Sequence, residues 1–274
     1  MPLINERALL ISNENVGPRI FLMKLHAPAL ASALKPGQFV HMRVPGMEGH
    51  ILRRPFSIYA WDESEGTIDI LYQVVGFGSH RMTKLQPEKL SEEDPIELLG
   101  PVGQTWLSTD AMTDAAPHKA LLVGGGVGAP PLFMLAKQLL QAGVSVDVVL
   151  GAQTKNALVC KDRFGSLLGT EPLCATDDGT YGRAGFCTSL VEEALQAAAA
   201  DKAPYDYVAT CGPTPLMKIV ASMAAEAGVP CEVSMEKRMA CGVGACLSCV
   251  VETTEGKRRA CVDGPVFDAR KVVW

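Results

Sequence analysis

The sequence lacks an excess of positive charge: 25 Lys and Arg stand against 30 Asp and Glu, a formal net charge of −5. No basic field draws the chain to DNA or RNA, and nucleic acid is not expected as a partner. It also lacks an uninterrupted apolar run of about 18 residues, so no segment reads as a membrane span. No charged stretch followed by an apolar one marks its start, and a cytoplasmic, reducing setting is expected. Histidine is scarce. His26, His41, His50, His80 and His118 share no spacing with one another or with Asp that proposes a metal site, so surface or satisfied structural roles are expected of them. With 48% hydrophobic and 20% charged residues, the chain suits neither long disorder nor a coiled coil.

What is present is length for two medium domains, 274 residues, with 26 glycines and nine unevenly placed cysteines. Over residues 5–75, short apolar stretches are broken by turns: RALLISN, RIFLMKLH, GQFVHMRV, PFSIYA and IDILYQVV. Several alternate as half-buried strands do, which predicts an antiparallel sheet or small barrel, with IELLGPVG adding a strand near 96–103. STDAMTDAAPHK then reads as a polar linker. Beyond Lys119 the pattern changes to a strand (ALLV), a Gly-Pro turn, a helix (LFMLAKQLLQAG) and a second strand (VSVDVVLGA), a βαβ unit. A helix (SLVEEALQAAAA), a strand (YDYVAT) and a helix after Cys211-Gly212-Pro213 continue a largely parallel sheet to about residue 230. The remaining tail is too short for a core of its own, and a metal centre is the expected source of its stability.

Four of the nine cysteines crowd that tail. Cys241, Cys246, Cys249 and Cys261 are separated by four, two and eleven residues. Zinc usually takes close pairs of ligands, whereas here three thiols share one glycine-bearing loop and the fourth follows a hairpin-like segment, VVETTEGKRRA. The spacing C-x4-C-x2-C opens the plant-type [2Fe–2S] arrangement, in which backbone N–H groups aimed at the sulfurs help tune the potential. Structural zinc and metal-free cysteines are the alternatives.

Two nucleotide sites are expected upstream. Gly124, Gly126 and Gly128 lie between a strand and a helix, where the missing Cβ atoms admit a phosphate to the helix N-terminus. Pro131 and the lack of an acidic residue ending VSVDVVL depart from the ordinary Rossmann fingerprint, so a merely tight turn stays open. Arg54-Pro55-Phe56-Ser57 leads into a strand, and Gly76-Phe77-Gly78-Ser79 closes another before a helix. Arg54 and the glycine-turn N–H groups suit a pyrophosphate, Ser57 a flavin ring nitrogen, and Phe56 and Tyr72 an apolar wall. Singly, each has an ordinary alternative: a surface arginine, a core aromatic ring, or a Ser79 helix cap.

In this order the motifs resemble the ferredoxin–NADP reductase superfamily and, more closely, the electron-transfer subunits of two-component, NAD-dependent dihydroorotate dehydrogenases. The superfamily's flavin signature matches Arg54-Pro55-Phe56-Ser57, with Phe56 where many relatives have tyrosine. Its glycine turn matches Gly76-Phe77-Gly78-Ser79, with Ser79 in place of the common threonine. Its GxGxxP loop matches Gly126-Val127-Gly128-Ala129-Pro130-Pro131, and its late CGP turn is Cys211-Gly212-Pro213. SMEKRMACGVGACLSC and CVDGPVF carry the subunit-specific likeness, with Glu236 and Arg238 retained. The resemblance implies an antiparallel β-barrel FAD domain over 1–105, an α/β nicotinamide-binding domain over 106–230 and a C-terminal [2Fe–2S] segment over 231–274. It implies FAD bound at Arg54, Pro55, Phe56, Ser57, Tyr72, Gly76, Gly78 and Ser79, NAD at Gly126, Gly128, Cys211 and Gly212, and the cluster on the four cysteines. It further implies an FMN-containing catalytic partner subunit, two of each chain, with electrons passing from dihydroorotate through partner FMN, cluster and FAD to NAD+ in pyrimidine biosynthesis. No residue of this chain is expected to oxidise dihydroorotate. A sulfhydrogenase or ferredoxin–NADP reductase subunit, and a zinc-bearing nucleotide sensor, are the competing readings.

Overall fold

The computed structural model describes residues 3–47, 49–108 and 117–274. The linker expected over 108–119 therefore falls mostly outside the described residues.

The N-terminal half is one antiparallel seven-stranded sheet. Its strands are β1 (Ile4–Gly17), β2 (Ile20–His26), β3 (Phe39–Arg43), β4 (Arg54–Ser57), β5 (Ala60–Asp62), β6 (Thr67–Gln73) and β7 (Ile96–Val102), ordered β4-β3-β7-β1-β2-β6-β5. Short helices α1 (Pro28–Ala33) and α2 (Phe77–Met82) fill two connections. The sheet curls around Leu25, Val40, Met42, Ile68, Ile70, Ile96 and Leu98, all fully buried. Each such side chain contributes about 1.5–3 kcal/mol through its burial. The stretch expected as one strand, PFSIYA, divides into β4 and β5, with the Tyr59 N–H turned to the Asp69 carbonyl at 2.9 Å. β4 and β5 are the two edges of the sheet order, so the barrel is a half-barrel closed by side chains.

The second half is a parallel sheet between helices. β8 (Lys119–Gly125), α3 (Pro130–Gln141), β9 (Ser145–Ala152), α4 (Lys161–Leu168), β10 (Leu173–Thr176) and the two-residue β11 (Arg183–Ala184) wind outward in one direction. α5 (Thr188–Ala200) returns the chain to β12 (Tyr207–Cys211) on the other side of β8, followed by α6 (Thr214–Glu226) and β13 (Cys231–Ser234). The winding thus reverses between β8 and β12, and ligands of open α/β sheets bind outside the strand ends at such a switch point. Pro130 and Pro131 occupy the first positions of α3, where a missing N–H costs nothing. α4, β10 and β11 lie in a stretch whose sequence carries little periodicity.

The tail is built onto this sheet. β14 (Val250–Thr253) and β15 (Gly256–Arg259) form the expected hairpin, and β16 (Val266–Asp268) pairs antiparallel with β13. Cys249, Val251, Ala260 and Cys261 are buried in the same core as α5 and α6, so the tail borrows its stability from the α/β half. Side chains from both halves fix them to each other. Trp106 Nε1 donates to the Pro131 carbonyl at 3.2 Å. Glu232, buried on β13, accepts from the Leu107 N–H at 2.7 Å and the Tyr207 hydroxyl at 2.6 Å. Arg163 on α4 pairs with Asp69 on β6 at 2.8 Å and covers the rings of Tyr59 and Phe133 at 4.6 and 4.9 Å. Among the described residues, no helix is long and apolar enough to cross a membrane.

Candidate redox site

The two halves of the flavin signature, 20 residues apart in sequence, meet in space. Arg54, at the start of β4, lies over the first turn of α2: a Cβ at Gly78 would stand 2.7 Å from Arg54 Nε. Gly78 is needed for room, not for backbone conformation, since only a glycine lets the guanidinium approach this turn. Arg54 Nη1 is steadied by the Leu52 and His50 carbonyls. Gly76 opens α2 in extended backbone, and the N–H groups of Phe77 and Gly78 belong to the first turn, which lacks intrahelical acceptors. A guanidinium and free N–H groups at one point suit a diphosphate.

The other members of the set take different positions. Ser79 is buried; its Oγ accepts from the N–H groups of Val75 and Gly76 at 2.9 and 3.1 Å and donates to the Gly76 carbonyl. Its hydroxyl is spent on shaping the turn. Tyr72 is also buried, its hydroxyl donating to Asn13 Oδ1 at 3.0 Å and its ring stacked on Phe21. Tyr72, expected to add an aromatic wall, stands edge to face with Phe56 at 6.1 Å and backs that ring. Pro55, Phe56 and Ser57 are half-buried along β4, open on one side.

At the switch point, two glycine turns pack against each other. A Cβ on Gly128 would lie 2.5 Å from Gly212 Cα and N, and one on Gly212 would lie 3.1 Å from the Gly125 backbone. Gly126 has φ +55 and open space beside it, the left-handed conformation that favours glycine. Cys211 ends β12 and is buried. Burial drives its thiol pKa well up, the Glu236 carboxylate pushes the same way, and the Ser234 hydroxyl opposes through a hydrogen bond. The thiol therefore stays protonated, which suits packing and positioning and not nucleophilic chemistry. Glu236 keeps one open face while protein surrounds the rest, and burial raises its carboxyl pKa. The 126–128 turn rests against β6, the strand leading to the Gly76-Phe77-Gly78-Ser79 turn.

The iron–sulfur loop winds through Gly242, Gly244 and Leu247, each in left-handed backbone. Cys241 Sγ accepts from the N–H groups of Val243 and Cys246 at 3.5 and 3.4 Å. Partial burial opposes ionisation of Cys241, but these N–H groups outweigh it and bring the pKa down to about 6. Cys261 goes the other way, pushed up to about 12 by burial and by contact with Cys249, while the Gly244 N–H opposes. Cys249 and Cys261 are buried, while Cys241 is half-buried and Cys246 exposed. No three His, Cys, Asp or Glu side chains among the described residues converge on one ion position. The C-x4-C-x2-C spacing, with N–H groups aimed at the Cys241 sulfur, fits the plant-type [2Fe–2S] arrangement. Arg259 braces the loop from β15, donating to the Gly244 carbonyl at 3.2 Å and paired with Asp263 at 3.1 Å.

Two further residues escaped the sequence reading. Arg163 joins the halves from a stretch with no motif. His41, expected to be exposed or satisfied, is fully buried with Nδ1 unpartnered; burial, then the Arg53 charge, lowers its pKa to about 4.

Fold and loops together define a flavin- and iron–sulfur-dependent oxidoreductase subunit of the ferredoxin reductase type. An oxidoreductase FAD-binding domain model matches residues 8–106, and the iron-sulfur cluster binding domain of dihydroorotate dehydrogenase B matches residues 236–273. The electron transfer subunit of dihydroorotate dehydrogenase B (NAD(+)) from Geobacillus thermodenitrificans is 38% identical over 273 residues, 98% of each chain. Its counterpart from Desulforamulus reducens is 37% identical over 94% of each chain. This chain belongs to that family of electron transfer subunits. Among solved structures, a chain of the NADH-dependent reduced ferredoxin–NADP oxidoreductase superposes with a TM-score of 0.80 at 29% identity, covering 98% of this chain and 90% of that one. The ferredoxin reductase of carbazole 1,9a-dioxygenase shares the fold, with a TM-score of 0.64 at 22% identity over 84% and 68% of the two chains. The zinc-bearing sensor is set aside by the cluster-domain match.

Proposed function

We propose that this chain takes electrons from FMN on a dihydroorotate-oxidising partner, passes them through a [2Fe–2S] cluster and FAD, and delivers them to NAD+. The observation that supports the reading is the Cys241 sulfur held by the Val243 and Cys246 N–H groups, in a four-cysteine segment that pairs with the nicotinamide sheet. When bound, a flavin links one-electron carriers to two-electron hydride transfer.

The chain's own residues have separate tasks. Arg54, with the N–H groups opened by Gly76 and Gly78, neutralises the flavin diphosphate, and Ser79 holds that turn in shape. Pro55, Phe56 and Ser57 line the ring system, with Tyr72 as support. Gly126 and Gly128 admit the nicotinamide nucleotide to the N-terminus of α3, while Cys211 and Gly212 shape the place of its ring. Cys241, Cys246, Cys249 and Cys261 hold the cluster. The division into flavin, nicotinamide and cluster parts at about residues 105 and 230 follows these tasks. The proposal extends to a cytoplasmic location, an assembly of two chains around two catalytic subunits, and a place in pyrimidine biosynthesis.

Purification with the native partner tests the reading. The complex is expected to hold FAD, FMN, iron and acid-labile sulfide, and the isolated chain to reduce its flavin with NADH. The likeness to the ferredoxin–NADP oxidoreductase chain supports a second reading, ferredoxin as electron donor. Reduced ferredoxin driving NAD+ or NADP+ reduction, with dihydroorotate inert, would favour it.

A further inference from the structure

β3 has two faces. Val40 and Met42 enter the half-barrel core, while Phe39 and His41 turn outward and stand 5.8 Å apart, ring to ring. In the antiparallel pair β3–β4, Phe39 lies opposite Ser57 and His41 opposite Pro55. Directly opposed residues share a face, so His41 stands beside the strand that carries the flavin signature.

Its other neighbours belong to the cluster loop. His41 Nε2 lies 3.4 Å from Met239 Sδ. The imidazole face is pressed against Gly242, where an added Cβ would come within 2.8–2.9 Å of three ring atoms. One side chain thus fills the space between β4 and the first cysteine of the loop. Nδ1 is buried and meets no hydrogen-bond partner, a state that native proteins rarely leave uncompensated.

We propose that His41 is a positioning residue for the iron–sulfur centre: it sets the spacing between the flavin strand and the cluster loop, and its Nε2, the ring nitrogen on the loop side, anchors Met239 ahead of Cys241. The cluster is the partner chosen because both direct contacts of the imidazole, Met239 and Gly242, flank Cys241. Hydrogen bonds and burial around the sulfurs set the potentials of such centres. The inference rests on the reading that residues 236–273 hold a [2Fe–2S] cluster and β4 a flavin.

The test uses the full chain in complex with its catalytic partner, as wild type, His41→Leu, His41→Gln and Gly242→Ala. Iron, sulfide and FAD content are measured first, then the cluster and flavin midpoint potentials by EPR-monitored titration, then the rate of electron exchange between them. His41→Leu is expected to retain FAD, shift the cluster potential, leave the flavin potential in place and slow the exchange about tenfold or more. His41→Gln, which keeps a polar atom near Nε2, is expected to restore the potential. Gly242→Ala, which pushes the loop off the imidazole, is expected to slow exchange with the cluster still bound. Wild-type potential and exchange rate in His41→Leu would overturn the proposal. Should His41→Leu lose its cluster, His41→Gln decides: a wild-type potential supports the role, and a displaced one refutes it. A wild-type complex without cluster or FAD would instead refute the underlying reading.

Discussion

Gly128→Ala adds one carbon where the turns after β8 and β12 meet. The new Cβ would lie 2.5 Å from Gly212 Cα and N and 2.6 Å from the Cys211 carbonyl carbon, all backbone atoms. Carbon contacts settle near about 3.5–4.0 Å, so the two turns must part by roughly 1 Å. Gly128 is not in left-handed backbone, so the change adds crowding without dihedral strain. Overpacking of this kind costs about 1–3 kcal/mol. At about 2–4 °C per kcal/mol for a chain of this size, the melting temperature should fall by several degrees. The larger effect is on function, because the displaced turn carries Cys211 and Gly212: a shift of about 1 Å can cost up to roughly a hundredfold where reacting groups must align. Stopped-flow reduction of the bound flavin by NADH reads this directly. Weaker NADH binding and slower reduction are expected, with FAD and iron contents unchanged, because the atoms the new Cβ crowds belong to Gly212 and Cys211. Wild-type NADH affinity and reduction rate in Gly128→Ala would refute the placement of the nicotinamide at this switch point.

Arg163→Ala removes the nearer cation from a carboxylate, Asp69, whose side chain is only 10% exposed, leaving it Lys24 at 3.9 Å, and removes two ring contacts as well. A loss of about 2 kcal/mol is expected, measured as a lower melting temperature, and Asp69→Asn should recover part of it in the double variant; no recovery would argue against a stranded charge. Burial raises the thiol pKa values of Cys174 and Cys187 to about 11 and of Cys160 to about 12. The fold favours the protonated form, so this stabilisation is whole below the ordinary thiol value near about 8.5 and is lost as pH rises through about 11. Melting temperature should therefore decline from pH 8.5 upward, less steeply in a Cys174→Ala/Cys187→Ala variant, and equal slopes would contradict the assignment. After chelation of the iron, iodoacetamide at neutral pH should label Cys241, pKa about 6, before the buried Cys261, pKa about 12; peptide mapping showing the reverse order would count against the loop geometry.

Much of this organisation was legible in the residues. Alternation located most strands of the half-barrel, because one face of each is buried and the other is not. The glycine turns and cysteine spacing located the loops, because phosphate approach and thiolate ligation admit few residue types. Long-range contacts were not legible. Arg163 and Asp69 are 94 residues apart, and neither carries a local pattern that announces the other. Tyr72 looked like a ligand wall because its alternation cannot distinguish the core face of β6 from a cofactor face. His41 sits in a regular alternating strand, GQFVHMRV, whose register turns it away from the half-barrel core. That the cluster loop covers that outward face follows only from the way β13 and β16 fold the tail back. Ser79 illustrates the reverse case: its ordinary role, capping the turn at Gly76, is the one its hydrogen bonds show.

The most direct measurement is dihydroorotate-dependent reduction of NAD+ by the complex reconstituted from this chain and its catalytic partner, beside the same complex carrying Cys246→Ser. The intact complex should form NADH in step with dihydroorotate consumed, and Cys246→Ser should lose that flux while NADH still reduces the chain's flavin. An intact, fully loaded complex that oxidises dihydroorotate yet forms no NADH would contradict the proposed route, as would undiminished flux in Cys246→Ser.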